Sequence, residues 1–182
     1  EMSFVDEEDV YELGDRLFKH IMKKVKNIEI KTPFPRLSYA ESMSKYGCDK
    51  PDLRFELEHV DISEIVPMTD FQVFRSVVDK GGMVKGINAK GAGEKFSRKE
   101  IDKYITYAQH LGSAGLAWMK VTKDGLESSI MKFFNAKSQE AIIEALDAKP
   151  GDLLLFCAGS KKLVHDVMWK VRLKLGEDLG LI

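Results

Sequence analysis

The residues of this chain that could do chemistry are few and lie far apart. Four histidines and two cysteines are present, none of them paired at the spacing of metal ligands: His20, His59, His110, His165, Cys48 and Cys157. Structural zinc sites use closely spaced Cys or His pairs. We therefore predict solvated or hydrogen-bonded histidines, no metal site, and two free thiols of a reducing, cytoplasmic compartment.

A glycine cluster at residues 81–93 is the next candidate, because glycine-rich loops can hold phosphates. A P-loop ends in Gly-Lys-Ser or Gly-Lys-Thr, whereas this segment ends in Gly93-Glu94-Lys95, and no dinucleotide-binding fingerprint fits. The glycines are predicted to form turns. Trp118 and Phe133–Phe134 alternate with lysines and could stack RNA bases, but apparent strands around them favour core packing. The residues alone predict no catalytic group.

The stretch YGCDKPDLRF, Tyr46–Phe55, has neither helical nor strand periodicity. It is either a solvated connection or a loop shaped to hold a partner, and composition does not decide between them. Charge adds a further observation. Residues 1–66 carry 15 acidic and 10 basic side chains, and residues 67–182 carry 14 and 18. A basic second half permits contact with RNA phosphates, although solvated lysine-rich helices give the same pattern.

The first part of the chain predicts helices joined by extended segments. Asp6 is the expected N-cap of a helix over 7–26, whose apolar residues recur every three or four positions. Prolines keep the following segment extended. Ser38 is expected to cap a short helix that ends near Gly47. The partial alternation of residues 53–66 then leads out of this first part.

The second part predicts an α+β fold, with a mainly antiparallel sheet covered by helices on one face. A strand lies among the glycines, and SRKE at 97–100 is a capping box for a helix that stops at Gly112. A hairpin turns at Asp124-Gly125. Ser138 is expected to cap a helix through Leu146. An apolar strand at 152–160 and a helix over 161–175, closed by Gly176, complete the set. No apolar run approaches the roughly 18 residues of a membrane span.

Three segments resemble bacterial-type aspartyl-tRNA synthetases: EMSF at the start, PFPRLSYAESMSKYGCDKPDLRF, and GMVKGINAKGAGEKFSRKEIDKYITYAQHLGSAGLAWMKV. The resemblance covers essentially the whole chain in order and spacing. It implies three parts: 1–66 as a helix-containing strip of a class II catalytic domain, 67–176 as a GAD insertion domain, and 177–182 as the return toward the catalytic domain. The chain is therefore expected to be an excerpt from a longer protein.

The resemblance also implies the parent reaction. Aspartate attacks the α-phosphate of ATP with Mg²⁺ present, and the aspartyl group passes to the 3′ end of tRNA. The family's reaction-centre residues fall outside this sequence, so no catalytic, cofactor or metal residue is expected within it and the isolated chain is expected to be inactive. The parent is expected to be a homodimer. The first helix of the chain is expected to dock on the chain's own second part or on another copy of the chain, which would make the chain self-associate. The alternative is a non-catalytic RNA-contact or interaction module, like the GAD domain of tRNA amidotransferase subunits.

Two groups of site residues follow from the resemblance and the charge pattern. The loop lies near the active-site mouth of the family, which makes the following residues candidates for contact with the tRNA 3′ end: Tyr46, Asp49, Lys50, Asp52 and Arg54. A rigid connector is the alternative for this loop. The candidates for contact with RNA phosphates are basic residues around the glycine-flanked strand: Lys85, Lys90, Lys95, Arg98 and Lys99. Two departures from the family are Cys48, where a serine is expected, and Cys157-Ala158-Gly159, where Gly-Ala-Asp is expected.

Overall fold

A computed structural model describes all 182 residues, which form two compact units that divide between Ser38 and Tyr39. The first unit contains helix α1 (Glu7–Ile21), which a π-helical turn (Met22–Lys26) extends. The Asp6 side chain accepts hydrogen bonds from the backbone of Glu8 and Asp9, and the Asp9 side chain accepts one from the Asp6 backbone. The predicted helix over 7–26 and its cap are confirmed, because this capping box satisfies N–H groups that a helix leaves unpaired.

The apolar face of α1 lies open. No residue of α1 is buried, and large apolar side chains on it are 41–55% exposed: Val10, Leu13, Leu17, Phe18 and Ile21. Monomeric proteins rarely expose a contiguous apolar patch of this kind. Because these side chains are already about half covered, full burial would gain each of them roughly half of the 1.5–3 kcal/mol that a fully exposed side chain gains.

We therefore expect the chain to self-associate through α1. Sedimentation across a concentration series should show a monomer–oligomer equilibrium, and Leu17→Asp should shift it toward monomer by at least tenfold in dissociation constant. Lys19→Asp, two positions along the helix, changes an exposed polar side chain and serves as the control. A strictly monomeric parent chain, or equal effects of both substitutions, would contradict this role of α1.

The second unit, Tyr39–Ile182, contains one sheet and six helices. Its elements in chain order are α2 (Tyr39–Tyr46), β1 (His59–Asp61), α3 (Gln72–Asp79), β2 (Met83–Ala89), α4 (Ala92–Lys95), α5 (Arg98–His110), β3 (Ala117–Thr122), β4 (Gly125–Glu127), α6 (Ala136–Ala145), β5 (Leu153–Gly159) and α7 (Lys161–Asp178). The strand order is β1-β2-β5-β3-β4, and every neighbouring pair is antiparallel. The predicted α+β class and antiparallel sheet are confirmed. No helix combines the length and apolar character needed to cross a membrane.

Helices cover both faces of the sheet, so the predicted single covered face is wrong. One core lies between the sheet and α5 and α7, and a second core lies on the opposite face with α3 and α6. The cause is visible in the central strands, because all seven residues of β2 are buried and so are the first five of β5. A strand that is apolar on both sides needs cover on both sides.

One strand was not predicted, and two helix ends differ from the sequence prediction. Residues 59–61 pair with β2 as an edge strand, so this stretch belongs to the sheet of the second unit. Asn135, not Ser138, caps α6, because the Asn135 side chain accepts from the Ser138 backbone. Gly176 lies inside α7 rather than after it, and a Cβ atom built there would lie 2.9 Å from the Phe55 ring. The division at residue 66 stays a prediction.

Candidate functional site

The loop Tyr46–Phe55 is held against α7 by its backbone. Gly47 ends α2 with a left-handed φ of 73°, and the Ser42 hydroxyl donates to the Cys48 carbonyl at 2.7 Å. Asp52 accepts from the Arg54 backbone at 3.0 Å and forms a two-pronged ion pair with the Arg54 guanidinium. That ion pair lowers the pKa of Asp52 to about 2. The loop is thus fixed by local bonds of a kind that Asx turns use.

The five loop candidates fall into three groups. Tyr46 is buried, and its hydroxyl donates to the Glu58 carboxylate at 3.1 Å. Asp52 and Arg54 pair with each other, although the Arg54 side chain stays 71% exposed. Asp49 and Lys50 are exposed. A partner can therefore reach Asp49, Lys50 and Arg54 without moving the backbone, whereas Tyr46 acts in packing.

The anchor of the loop is Arg172 of α7, which is only 2% exposed. Its guanidinium donates to the carbonyls of Leu57 (3.0 Å), Asp52 (2.9 Å), Phe55 (2.7 Å) and Glu56 (3.0 Å). It also lies over the Phe55 ring at 4.0 Å and the Tyr46 ring at 4.8 Å. No carboxylate lies within ion-pair distance of it, so four main-chain carbonyls and two aromatic faces offset the cost of burying this charge.

Lys85 of β2 plays a comparable part at the other end of the loop. It is 1% exposed, and its ammonium donates to the Met43 carbonyl at 3.1 Å and to the Ser44 carbonyl. Both carbonyls lie in the last turn of α2, at the negative end of its dipole, and the Met43 carbonyl also accepts from the Gly47 backbone at 3.1 Å. Burial lowers the pKa of Lys85 to about 8. The His165 Nδ1 lies 3.4 Å from the ammonium.

His59 of β1 lies in the same region and has no hydrogen-bond partner at either ring nitrogen. It is 5% exposed. Burial, and next to it the positive charges of Lys85 and Arg172, lower the pKa of His59 to about 3, while a weak interaction with the Met168 backbone acts in the opposite direction. His59 is therefore neutral at pH 7. Because it is buried and both ring nitrogens lack a partner, the prediction of a solvated or hydrogen-bonded side chain is wrong for this histidine.

The candidate RNA-phosphate residues do not form one set. Lys85 is buried on backbone carbonyls and is not available to an RNA phosphate, which removes it from that group. The other four lie exposed between the end of β2 and the first turn of α5: Lys90, Lys95, Arg98 and Lys99. Arg98 pairs with Asp102 at 2.9 Å and lies 4.9 Å from the Trp118 ring centre, and Lys90 lies 3.8 Å from Glu56. We call these four residues the basic edge.

Sequence reasoning missed the anchoring roles of Arg172 and Lys85, although a signal was present for both. Arg172 continues the buried series of Val164 and Met168 at four-residue steps, and Lys85 shares the strand face of Met83 and Ile87 at two-residue steps. A cation on an apolar face at helical or strand spacing indicates a buried charge that needs partners. The identity of those partners depended on the tertiary fold.

Together, the antiparallel sheet covered by helices on both faces and the family comparison define the class of this protein. The GAD domain family matches residues 74–168, slightly more than half of the chain, and the chain belongs to this family. Its full length is 48% identical to the aspartate–tRNA(Asp/Asn) ligase of a Geobacillus species, strain WCH70, and 48% identical to the aspartate–tRNA ligase of Bacillus licheniformis. It is 49% identical to the aspartate–tRNA ligase of Geobacillus kaustophilus.

These relatives confirm the resemblance predicted from the sequence segments. Each match covers all 182 residues, but the chain spans only 31% of the length of the relatives. The match therefore extends beyond the GAD family region at both ends and includes the loop Tyr46–Phe55. Relatives that carry the two ligase names match at nearly the same identity, so this part of the protein does not distinguish them.

Proposed function

We propose that this chain is a section of a bacterial aspartate–tRNA ligase that acts in the cytoplasm as a homodimer. The whole protein activates aspartate with ATP and Mg²⁺ and transfers the aspartyl group to the 3′ end of tRNA. The observation that carries this proposal is the identity of 48% over all 182 residues. A lone GAD domain would account for residues 74–168 and would leave the first part of the chain unexplained.

The contribution of this section is to contact RNA rather than to catalyse the covalent steps of the reaction. No three His, Cys, Asp or Glu side chains converge where they could hold a metal ion, so no step through Mg²⁺ is assigned to these residues. The groups suited to RNA are Lys50 and Arg54 on the loop, together with the basic edge. Each of these cations is exposed, and cations that replace counterions on phosphates give salt-dependent binding.

We expect weak, salt-dependent binding of tRNA by the chain. Binding measured by fluorescence anisotropy should lie on the order of 10⁻⁴ to 10⁻⁶ M and weaken steeply between low and moderate salt. Changing Lys90, Lys95 and Lys99 together to Glu should weaken it at least tenfold. The matched control changes Lys123, Lys132 and Lys137 to Glu, which alters the net charge equally at exposed positions around β4 and α6.

Equal losses in both triple variants would show that net charge alone matters and would remove the basic edge as a site. Absent binding at low salt would remove RNA contact from this section. The chain is also expected to give no aspartate-dependent ATP–pyrophosphate exchange. Exchange above a buffer blank would contradict the assignment of catalysis to the rest of the ligase.

A further inference from the structure

Two buried cations hold one backbone segment from opposite ends. Lys85 donates to the carbonyls of residues 43 and 44, and Arg172 donates to those of residues 52, 55, 56 and 57. Both side chains are at most 2% exposed, and neither has a carboxylate within 4 Å. All six acceptors belong to the main chain of residues 43–57. This arrangement differs from an ordinary ion pair, in which a side chain would be the acceptor.

We infer that Lys85 and Arg172 are positioning residues that fix the backbone of residues 43–57 and thereby present Lys50 and Arg54 to RNA. Residues 48–51 lie between the two attachment points and receive no bond from either cation. Asp49 and Lys50 are exposed there. The Arg54 side chain is also exposed, although the carbonyls of Asp52 and Phe55 on either side of it are bound by Arg172. We call the two cations, Lys85 and Arg172, with the six carbonyls they bind the clamp. The clamp restrains the backbone path of residues 43–57 and leaves the exposed side chains free to contact a partner. The presentation to RNA rests on the proposed function, whereas the clamp itself does not.

The physical reason for a clamp of this kind lies in the cost of binding. A loop that must be ordered when a partner arrives loses affinity through conformational entropy, and a loop that is ordered beforehand does not. Main-chain acceptors suit this task because they are present whatever the side chain is. Arginine is suited to several carbonyls at once, because its planar guanidinium carries five N–H donors.

Hydrogen exchange tests the clamp without RNA. Arg172→Met keeps much of the apolar stem and removes every donor. Within residues 52–58, the Arg54 amide, which donates to the Asp52 side chain at 3.0 Å, should therefore exchange at least tenfold faster. Lys85→Met should speed exchange at residues 44–49 and leave residues 52–58 within about twofold. Arg98→Met, at an exposed arginine, is the control and should change neither segment. Protection of β2 and β5 in each variant shows that the sheet remains folded.

Each substitution is expected to speed exchange in one segment and not in the other. The role of each cation can therefore be tested even if one of the two variants is unstable. Unchanged exchange at residues 52–58 in Arg172→Met, with the sheet protected, would overturn the role of Arg172. Uniformly faster exchange throughout the second unit in both variants would show general structural support and would also overturn the clamp.

A double-mutant cycle on tRNA binding tests presentation. Arg54→Gln alone and Arg172→Met alone should each weaken binding at least threefold, and their combination should weaken it by less than the product, because the loop charge has already lost its place. Lys95→Gln on the basic edge should act independently of Arg172→Met, so the loss of tRNA affinity in the double variant should equal the product of the two single losses. If the fold-losses of the single variants multiply fully in both cycles, Arg172 does not present Arg54 to RNA, although the clamp itself would stand. Absent binding in the unsubstituted chain would overturn RNA contact, and presentation with it.

Discussion

Replacing Gly47 with alanine should destabilise the second unit by roughly 3 kcal/mol, through a strained backbone conformation and one close backbone contact. Gly47 has a φ of 73°, in the left-handed region that costs a residue with a Cβ atom roughly 1–2 kcal/mol. A Cβ atom built there would lie 2.8 Å from the carbonyl oxygen of His165. That oxygen belongs to the backbone of α7 and cannot rotate away, so α2 and α7 would have to move apart.

Gly81→Ala is the matched control for this substitution. Gly81 has a nearly equal φ of 77°, but no atom lies within 4 Å of its built Cβ position. It should therefore show the conformational cost alone, roughly 1–2 kcal/mol. The only two tryptophans, Trp118 and Trp169, both lie in the second unit, so urea unfolding followed by tryptophan fluorescence reports this unit selectively. Equal losses at both glycines would mean that α7 yields freely to the added methyl group.

Acid should destabilise the second unit through His59. Its folded pKa is about 3 and its ordinary value is 6.5. Between those two pH values the unfolded chain binds a proton at His59 that the folded chain does not, so stability falls as the pH falls through this window. From pH 7 to pH 4.5 the loss from this one group is roughly 2–3 kcal/mol, because one pKa unit corresponds to about 1.4 kcal/mol.

His59→Leu isolates that contribution. Leucine keeps the site apolar, and no hydrogen bond is lost because neither ring nitrogen has a partner. Stability at pH 7 should be unchanged or higher, and the difference in unfolding free energy between pH 7 and pH 4.5 should shrink by roughly 2–3 kcal/mol. His110→Leu, at an exposed position of α5, should leave that difference as it is. An unchanged acid dependence in His59→Leu would show that His59 takes up its proton within the folded unit.

Local patterns in the sequence predicted most elements of the fold, because short-range chemistry determines them. Asp6 and Ser97 cap their helices through contacts within three residues, and Gly125 turns a hairpin within four. Helix α3 was missed because it opens with no side-chain cap. Helix α6 was predicted, but its place on the opposite face of the sheet depends on tertiary packing. The anchor residues depend on separations of 41 to 120 residues, such as Arg172 to Asp52, and no local pattern identifies partners at that distance.

The order of the strands has a consequence for synthesis on the ribosome. β5 is the last strand to emerge, yet it lies at the centre of the sheet between β2 and β3. The 70 residues from Lys90 to Gly159 must follow β2 before its second edge is paired. At about 5–20 residues per second this takes roughly 4–14 s. During that interval the buried strand Met83–Ala89 has one unpaired edge, so we expect the nascent chain to be prone to pairing with other chains until β5 emerges.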